Sequence, residues 1–219
     1  MSREEIIGRL RKAIVDCDIE AAKKAAEETV KSGIDLTEAV EKGLAPGLKE
    51  VGEKFHRYEL FLPHLVLAAD AMTEAIKILQ PAMTAEQVAK LNKGTIVIGT
   101  VEGDLHDIGK NVVAMVLKSE GFTVHDIGKD IKTSEFIDRA QTLNADVIGV
   151  SSLMTTTLPY QRELVEELER LGLRGKFKVV VGGGPVTEEW AKKIGADGWG
   201  RDATEAVKVI RSLLDAQER

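Results

Sequence analysis

Residues 103–111 read GDLHDIGKN and follow the apolar run TIVIGT at 95–100. Two carboxylates, Asp104 and Asp107, and one imidazole, His106, therefore share a short turn between Gly103 and Gly109. Three roles suit that spacing: a metal ligand with an acid behind it, a general base, or a polar helix start, because Asp is a favoured N-cap. Further on, SSLMTTTLP (151–159) carries Ser151, Ser152, Thr155, Thr156 and Thr157, and GGGPVT (182–187) carries Gly182, Gly183 and Gly184. Taken singly, each has an ordinary explanation. A loop histidine is commonly solvated, and three glycines can serve only a tight turn.

The elements that must position these residues give the set its weight. From Gly94 onward, short β-branched runs (TIVIGT, FTVHDIG, ADVIGVSS, KFKVVVGGG and a weaker ADGWG) alternate with amphipathic stretches, and DATEAVKVIRSLLDAQ closes the chain. Nearly continuous apolar strands alternating with helices predict a parallel sheet covered on both faces. Five such units suit the flavodoxin-like strand order, whose ligands sit beyond the carboxyl ends of the strands. The loops after strands one, three, four and five then open on one edge. That edge gathers Asp104, His106, the Ser and Thr run, and a floor of glycines, leaving room for a large flat or extended ligand lying against backbone.

Residues 1–80 read as helices only. Ser2 and Glu5 have capping-box spacing, Asp18 and Asp35 stand as N-caps, Gly33 as a stop, and Pro46 and Pro63 in first turns. Short connecting loops predict an antiparallel bundle. Residues 81–93 lack a sustained apolar stripe and read as a linker. The expected architecture is an N-terminal all-α helical bundle (1–80), a linker (81–93) and a flavodoxin-like, Rossmann-type α/β domain with a five-stranded parallel sheet (94–219).

Composition narrows the function classes. A net charge of −6 argues against nucleic acid as the main partner, and 4% aromatic residues argue against a base-stacking surface. One cysteine, Cys17, excludes a disulfide framework and any multi-cysteine metal site, and suits a reducing cytoplasm. No apolar run reaches the length of a membrane span, and the first residues are no signal peptide. Neither a P-loop nor a dinucleotide-binding glycine motif follows the first strand, and no nucleophile elbow occurs. A tetrahedral zinc site is poorly supplied with ligands. One imidazole backed by an acid does fit a single axial bond to a metal whose other ligands come from a cofactor.

Asp104-Leu105-His106-Asp107-Ile108-Gly109 matches D-x-H-x-x-G, Ser151-x-Leu153 matches S-x-L, and Gly182-Gly183 matches the later G-G. In that order, each after its expected strand, the motifs resemble those of the cobalamin-binding domain shared by methionine synthase, corrinoid methyl-carrier proteins and base-off mutases. Residues 51–72 (VGEKFHRYELFLPHLVLAADAM) are similar to the helical cap of methionine synthase and of small corrinoid proteins. The resemblance thus covers essentially the whole chain and is to a corrinoid methyl carrier of a methyltransferase system.

The resemblance implies a cobalamin or related corrinoid bound base-off, with His106 as the lower axial ligand of cobalt. Asp104 holds the other imidazole nitrogen. The third relay position, a Ser in methionine synthase, falls on Thr157, which keeps the hydroxyl and adds a methyl. The displaced nucleotide tail enters a slot lined by Ser151 and Thr155, with backbone approach at Gly182, Gly183 and Gly184. Phe55 and Leu62 shield the upper corrin face, although spacing alone allows them to be bundle core. The implied function is methyl transfer, cycling cobalt(I) and methyl-cobalt(III), between a substrate-specific methyltransferase and a methyl-acceptor methyltransferase. A reductive activator supports the cycle, and no turnover is expected without these partners. Two rivals share the sheet-domain motif. One is a cobalamin-dependent regulator without its DNA-binding domain. Its bundle would carry a Trp near the cofactor, whereas Trp190 and Trp199 both fall in the sheet domain. The other is a mutase small subunit, a type that lacks such a helical cap. The sequence does not choose between methoxylated aromatics, methylamines, methanol, methylthiols and quaternary amines as the methyl donor.

Overall fold

The computed structural model describes residues 2–216, apart from the side chains of His56, Ala89 and Lys90. The chain forms two compact units, one running up to Lys93 and including Lys118–Gly121, the other comprising Gly94–Leu117 and the chain from Phe122.

The first unit is helical. Helix α1 (Arg3–Val15) begins with a capping box: the Ser2 hydroxyl accepts from Glu5 N–H, and Glu5 accepts from Ser2 N–H. Asp18 caps α2 (Ile19–Ser32), which ends at Gly33 in the left-handed conformation. Asp35 caps the next segment through the N–H groups of Thr37 and Glu38. Here two separate helices were expected, but the backbone stays helical through α3 (Leu36–Ala39), a π-helical turn (Val40–Leu44) and α4 (Ala45–His56). Pro46 has no N–H to bond the Lys42 carbonyl, so it interrupts a regular ladder. The wider turn, closed by Ala45 N–H on the Val40 carbonyl, carries the helix past it. Helix α5 (Leu62–Leu79) opens with Pro63 and ends at a 3-10 turn containing Pro81. Leu10, Ile14, Leu44, Leu48, Leu65 and Leu79 are fully buried in this unit. The stretch expected as a linker contains a short helix, α6 (Ala85–Leu91), with a Thr84–Gln87 capping box, packed on α3.

The second unit is the five-stranded parallel sheet. Strands β1 (Thr95–Thr100), β2 (Thr123–Asp126), β3 (Val147–Ser151), β4 (Lys178–Gly182) and β5 (Gly198–Gly200) lie in the order β2-β1-β3-β4-β5. Helices α7 (Ile108–Ser119), α8 (Thr133–Thr142), α9 (Leu158–Arg170), α10 (Glu188–Ile194) and α11 (Ala203–Asp215) connect and follow them. This is the expected doubly wound order, with its switch point between β1 and β3.

Strand side chains alternate between faces. Val97, Ile148, Val179 and Val181 join Phe136 and Leu164 in the core of one face. The intervening Ile96, Ile98, Gly149 and Val180 turn to the other face, where they form the floor of a cavity beneath α7 and α11. Phe136 is 1% exposed in the first of these layers. Phe136→Ala is expected to lower unfolding free energy by about 3–5 kcal/mol, read as a shifted urea midpoint at unchanged slope.

Candidate functional site

The loop between β1 and α7 is fixed at every turn. Gly103 adopts φ +76°, a conformation side chains disfavour, and its N–H donates to the Asp130 carboxylate at 2.7 Å. Asp104 N–H reaches the Val101 carbonyl at 3.1 Å. The buried Thr100 hydroxyl donates to the His106 carbonyl at 2.9 Å.

Within that frame the Asp104 carboxylate, fully buried, meets four donors. One oxygen accepts from His106 N–H at 3.0 Å and from His106 Nδ1 at 2.7 Å. The other accepts from Leu153 N–H at 2.6 Å and from the Thr157 hydroxyl at 3.2 Å. Ser152, also fully buried, stands 2.8 Å from the Thr157 hydroxyl. Both hydroxyls also lie within reach of the Met154 carbonyl, Thr157 at 3.0 Å and Ser152 at 3.3 Å; when Thr157 donates to Asp104 and Ser152 to Thr157, the groups form the chain Ser152–Thr157–Asp104–His106. An acceptor ringed by donors is an ionised carboxylate. Burial alone raises the Asp104 pKa, but the hydrogen bonds from Leu153, His106 and Thr157 outweigh it and hold the group below its ordinary value.

The same network sets the histidine tautomer. Nδ1 carries the proton donated to Asp104, so in the neutral ring Nε2 carries the lone pair. Nε2 has no hydrogen-bond partner among the described residues, and the side chain is 54% exposed. Exposed Leu105, Ile108 and Leu153 accompany it at the sheet edge. No cluster of three His, Cys, Asp or Glu able to hold a metal occurs among the described residues. The edge thus offers one imidazole nitrogen surrounded by exposed apolar side chains, an arrangement that suits a broad organic frame.

Beside the imidazole a slot of about 530 Å³ runs down between the sheet and helices α7 and α11. Ser151, Gly182 and Gly200 lie side by side across β3, β4 and β5 at its mouth. Gly183, at φ +125°, approaches the preceding loop so closely that a Cβ there would lie 1.8 Å from the Ser152 carbonyl oxygen. The buried Gln161 amide holds that approach by donating to the carbonyls of Val150 (2.9 Å) and Gly182 (3.1 Å), while Trp190 Nε1 donates to its oxygen.

The residues singled out in the sequence divide accordingly. Leu105, His106, Asp107, Ile108, Gly109, Ser151, Leu153, Gly182, Gly183 and Gly184 border the slot. Asp104 and Thr157 lie buried behind it, Thr157 hydrogen-bonded to Asp104 and Asp104 to His106. Gly103 shapes the loop. Asp107 pairs with Lys129 at 3.5 Å. Thr155, expected in the slot, is exposed and stands outside its lining. Phe55 and Leu62 are half-buried in the helical unit, which also exposes Tyr58 and Phe61. Four contributors escaped the sequence reading: Ser152 in the relay, the Leu153 N–H, Gln161, and Lys110. The Lys110 ammonium is buried against Asp126 (2.5 Å) and Asn111 (2.7 Å). Lys110 alone had a signal, as a cation directly after the D-x-H-x-x-G motif.

Residues 94–208 match the B12 binding domain family, and residues 6–80 match a second B12 binding domain family. Dimethylamine corrinoid protein 1 of Methanosarcina acetivorans is 50% identical over 98% of this chain and 100% of its own. The chain belongs to the B12-binding corrinoid proteins. Trimethylamine corrinoid protein of Methanosarcina barkeri is 44% identical over 98% of this chain and 99% of its own. A crystallised methanol:cobalamin methyltransferase complex from Methanosarcina barkeri superposes with TM-score 0.86 at 28% identity, over 98% of this chain and 81% of the compared chain. No helix among the described residues of this corrinoid protein is long and apolar enough to cross a membrane.

The lowered Asp104 pKa ties stability to pH. The folded value lies below the unfolded one of about 3.9, so the carboxylate stabilises the fold above that pH. The contribution is lost as pH falls through the folded value. Urea titrations of the apo corrinoid protein from neutral pH into the acid range are expected to show this loss. Asp104→Asn, whose amide group would face donors, is expected to be less stable at neutral pH and to have a flatter acid limb.

Proposed function

We propose that the chain carries a methyl group on a bound corrinoid between two methyltransferases, with His106 as the protein ligand to cobalt. The observation that carries this reading is the lone imidazole nitrogen, Nε2, oriented by a buried carboxylate at the mouth of a slot. When bound, the corrinoid supplies a cobalt centre that gains and loses the methyl group, alternating between cobalt(I) and methyl-cobalt(III). Everything else belongs to the chain. His106 would take the place of the cofactor's own nucleotide base, and the slot would receive the displaced nucleotide, in a base-off, His-on arrangement. Asp104 keeps the Nδ1 proton in place and strengthens Nε2 as a donor. A proton added to the Ser152–Thr157–Asp104–His106 chain weakens that donor, and its loss restores it.

Kinship with dimethylamine and trimethylamine corrinoid proteins supports a methylamine as the source of the methyl group, delivered by a substrate-specific methyltransferase. By the family resemblance, a second methyltransferase removes it and a reductive activator rescues oxidised cobalt. Phe55 and Leu62 would cover the cofactor's upper face, and residues 81–93 would let the cap move aside for a partner enzyme.

Paramagnetic resonance of the cobalt(II) holoprotein is expected to show splitting from one nitrogen that changes when the histidines carry nitrogen-15. His106→Gly should abolish the change. An isotope-insensitive pattern in the wild type would mean that the cofactor keeps its own base.

For the cap, Phe55→Ala is expected to destabilise the apoprotein by less than the roughly 3–5 kcal/mol of a core Phe, while speeding light-driven loss of the methyl group from protein loaded with methylcobalamin. A large stability loss with an unchanged photolysis rate would return Phe55 to the bundle core.

A further inference from the structure

We infer that the slot selects the corrinoid by its nucleotide base, favouring a benzimidazole over a purine. This rests on the reading that a corrinoid's nucleotide occupies the slot, and concerns which base the walls accept.

The polar side chains of the lining are distributed unevenly. His106 and Asp107 precede α7, Ser151 ends β3, and Arg201 and Asp202 follow β5, so these five stand at the carboxyl edge of the sheet. Below them the walls are aliphatic: Ile96 and Ile98 from β1, Val180 from β4, Val113 and Leu117 from α7, and Ile210 from α11. Lys110, in the first turn of α7 and paired with Asp126 at the carboxyl end of β2, is the remaining polar side chain of the lining among the described residues. Its ammonium has three protons, and three acceptors lie within 2.7 Å: Asn111 Oδ1 and the two carboxylate oxygens of Asp126. It is 1% exposed and offers nothing further to a ligand.

The backbone of the floor is equally occupied. Strand β1 is paired on one side with β2 and on the other with β3; β3 also pairs with β4, and β4 with β5. Their N–H and C=O groups are engaged in ladders on both sides. The Gln161 amide nitrogen is taken by the Val150 and Gly182 carbonyls. Among the described residues the lower slot thus presents aliphatic side chains, over a floor of strands β1, β3 and β4 whose backbone is engaged in the ladders.

The two bases differ where that matters. The six-membered ring of a benzimidazole is all carbon. The six-membered ring of adenine has two ring nitrogens and an exocyclic amine. Buried among Ile96, Ile98, Val180 and Ile210, those groups would lose water without gaining partners, which opposes binding. Both bases are fused five- and six-membered rings of similar size, so chemistry rather than bulk makes the distinction.

Calorimetric titration of the apoprotein with three compounds tests this: cobalamin, the corresponding adeninyl cobamide, and cobinamide, which has the corrin but no nucleotide. Each affinity is corrected for the fraction of free compound whose base is bound to cobalt, read from its absorption spectrum. Cobalamin is expected to bind at least tenfold more tightly than the adeninyl cobamide, and cobinamide more weakly than cobalamin. Equal corrected affinities for the two cobamides, both above cobinamide, would overturn the selectivity and leave the corrinoid reading standing. Cobinamide binding as tightly as cobalamin would overturn it by showing that the slot contributes nothing. Failure of all three to bind would remove the corrinoid reading itself, and the inference with it.

Discussion

Four donors converge on the buried carboxylate of Asp104, and the carboxyl edge of the sheet is arranged around that fact. A buried carboxylate without partners is costly, and one with four hydrogen bonds remains ionised. Those four bonds tie together pieces that the chain separates widely: the turn after β1, the backbone at Leu153 after β3, and Thr157 at the start of α9. The carboxylate therefore closes the edge as well as orienting His106. It leaves the imidazole one course, with the proton inward on Nδ1 and the lone pair outward on Nε2. A structural requirement and a chemical one are met by the same bonds.

The slot depends on a different constraint, the two-residue alternation of the strands. Val97, Ile148 and Val179 bury one face of the sheet in an ordinary core, so Ile96, Gly149 and Val180 must face the other way. Glycine at 149 keeps that second face low in mid-sheet. At the mouth, Gly183 permits a backbone approach to Ser152 that a side chain would prevent, and Gln161 holds the two strands at that spacing. The result combines a polar rim with apolar depth. That division favours an elongated ligand with a charged or polar middle and an apolar end.

The helical unit shows how local chemistry and packing can disagree. Pro46 signals a helix start by its lack of an N–H, yet the backbone arrives there already helical. The π-helical turn at Val40–Leu44 removes the conflict by shifting the hydrogen-bond partner one residue back. Apolar packing of Leu44 and Leu48, both fully buried, favours continuity over a break. The exposure of Tyr58 and Phe61 in the same unit, close in sequence to Phe55 and Leu62, concentrates apolar surface in the segment that resembles a corrinoid cap.

Much of this is legible in the amino-acid sequence itself. Capping at Ser2, Asp18 and Asp35 is local chemistry, and so are the stop at Gly33 and the strand–helix alternation after Gly94. The D-x-H-x-x-G, S-x-L and G-G motifs pointed to one edge because parallel topology sends alternate loops there. Other features had no local signature. Ser152 looked like a neighbour of Ser151 with the same prospects. The pleat sends one to the slot mouth and the other into the relay behind Thr157. Thr155 has the same composition as Thr157 and ends up exposed, since two residues in a turn are enough to change direction. Gln161 sits in an amphipathic helix, and its role appears only where α9 crosses the ends of β3 and β4. Sequence by itself determined most of the segments that became helix or strand, α6 and the continuity through Val40–Leu44 apart, and which residue types stood near the sheet edge, because those follow from neighbours in the chain. Only the tertiary structure decided which hydroxyl met the carboxylate and which side chains formed the slot, because those depend on distances between residues far apart in the chain.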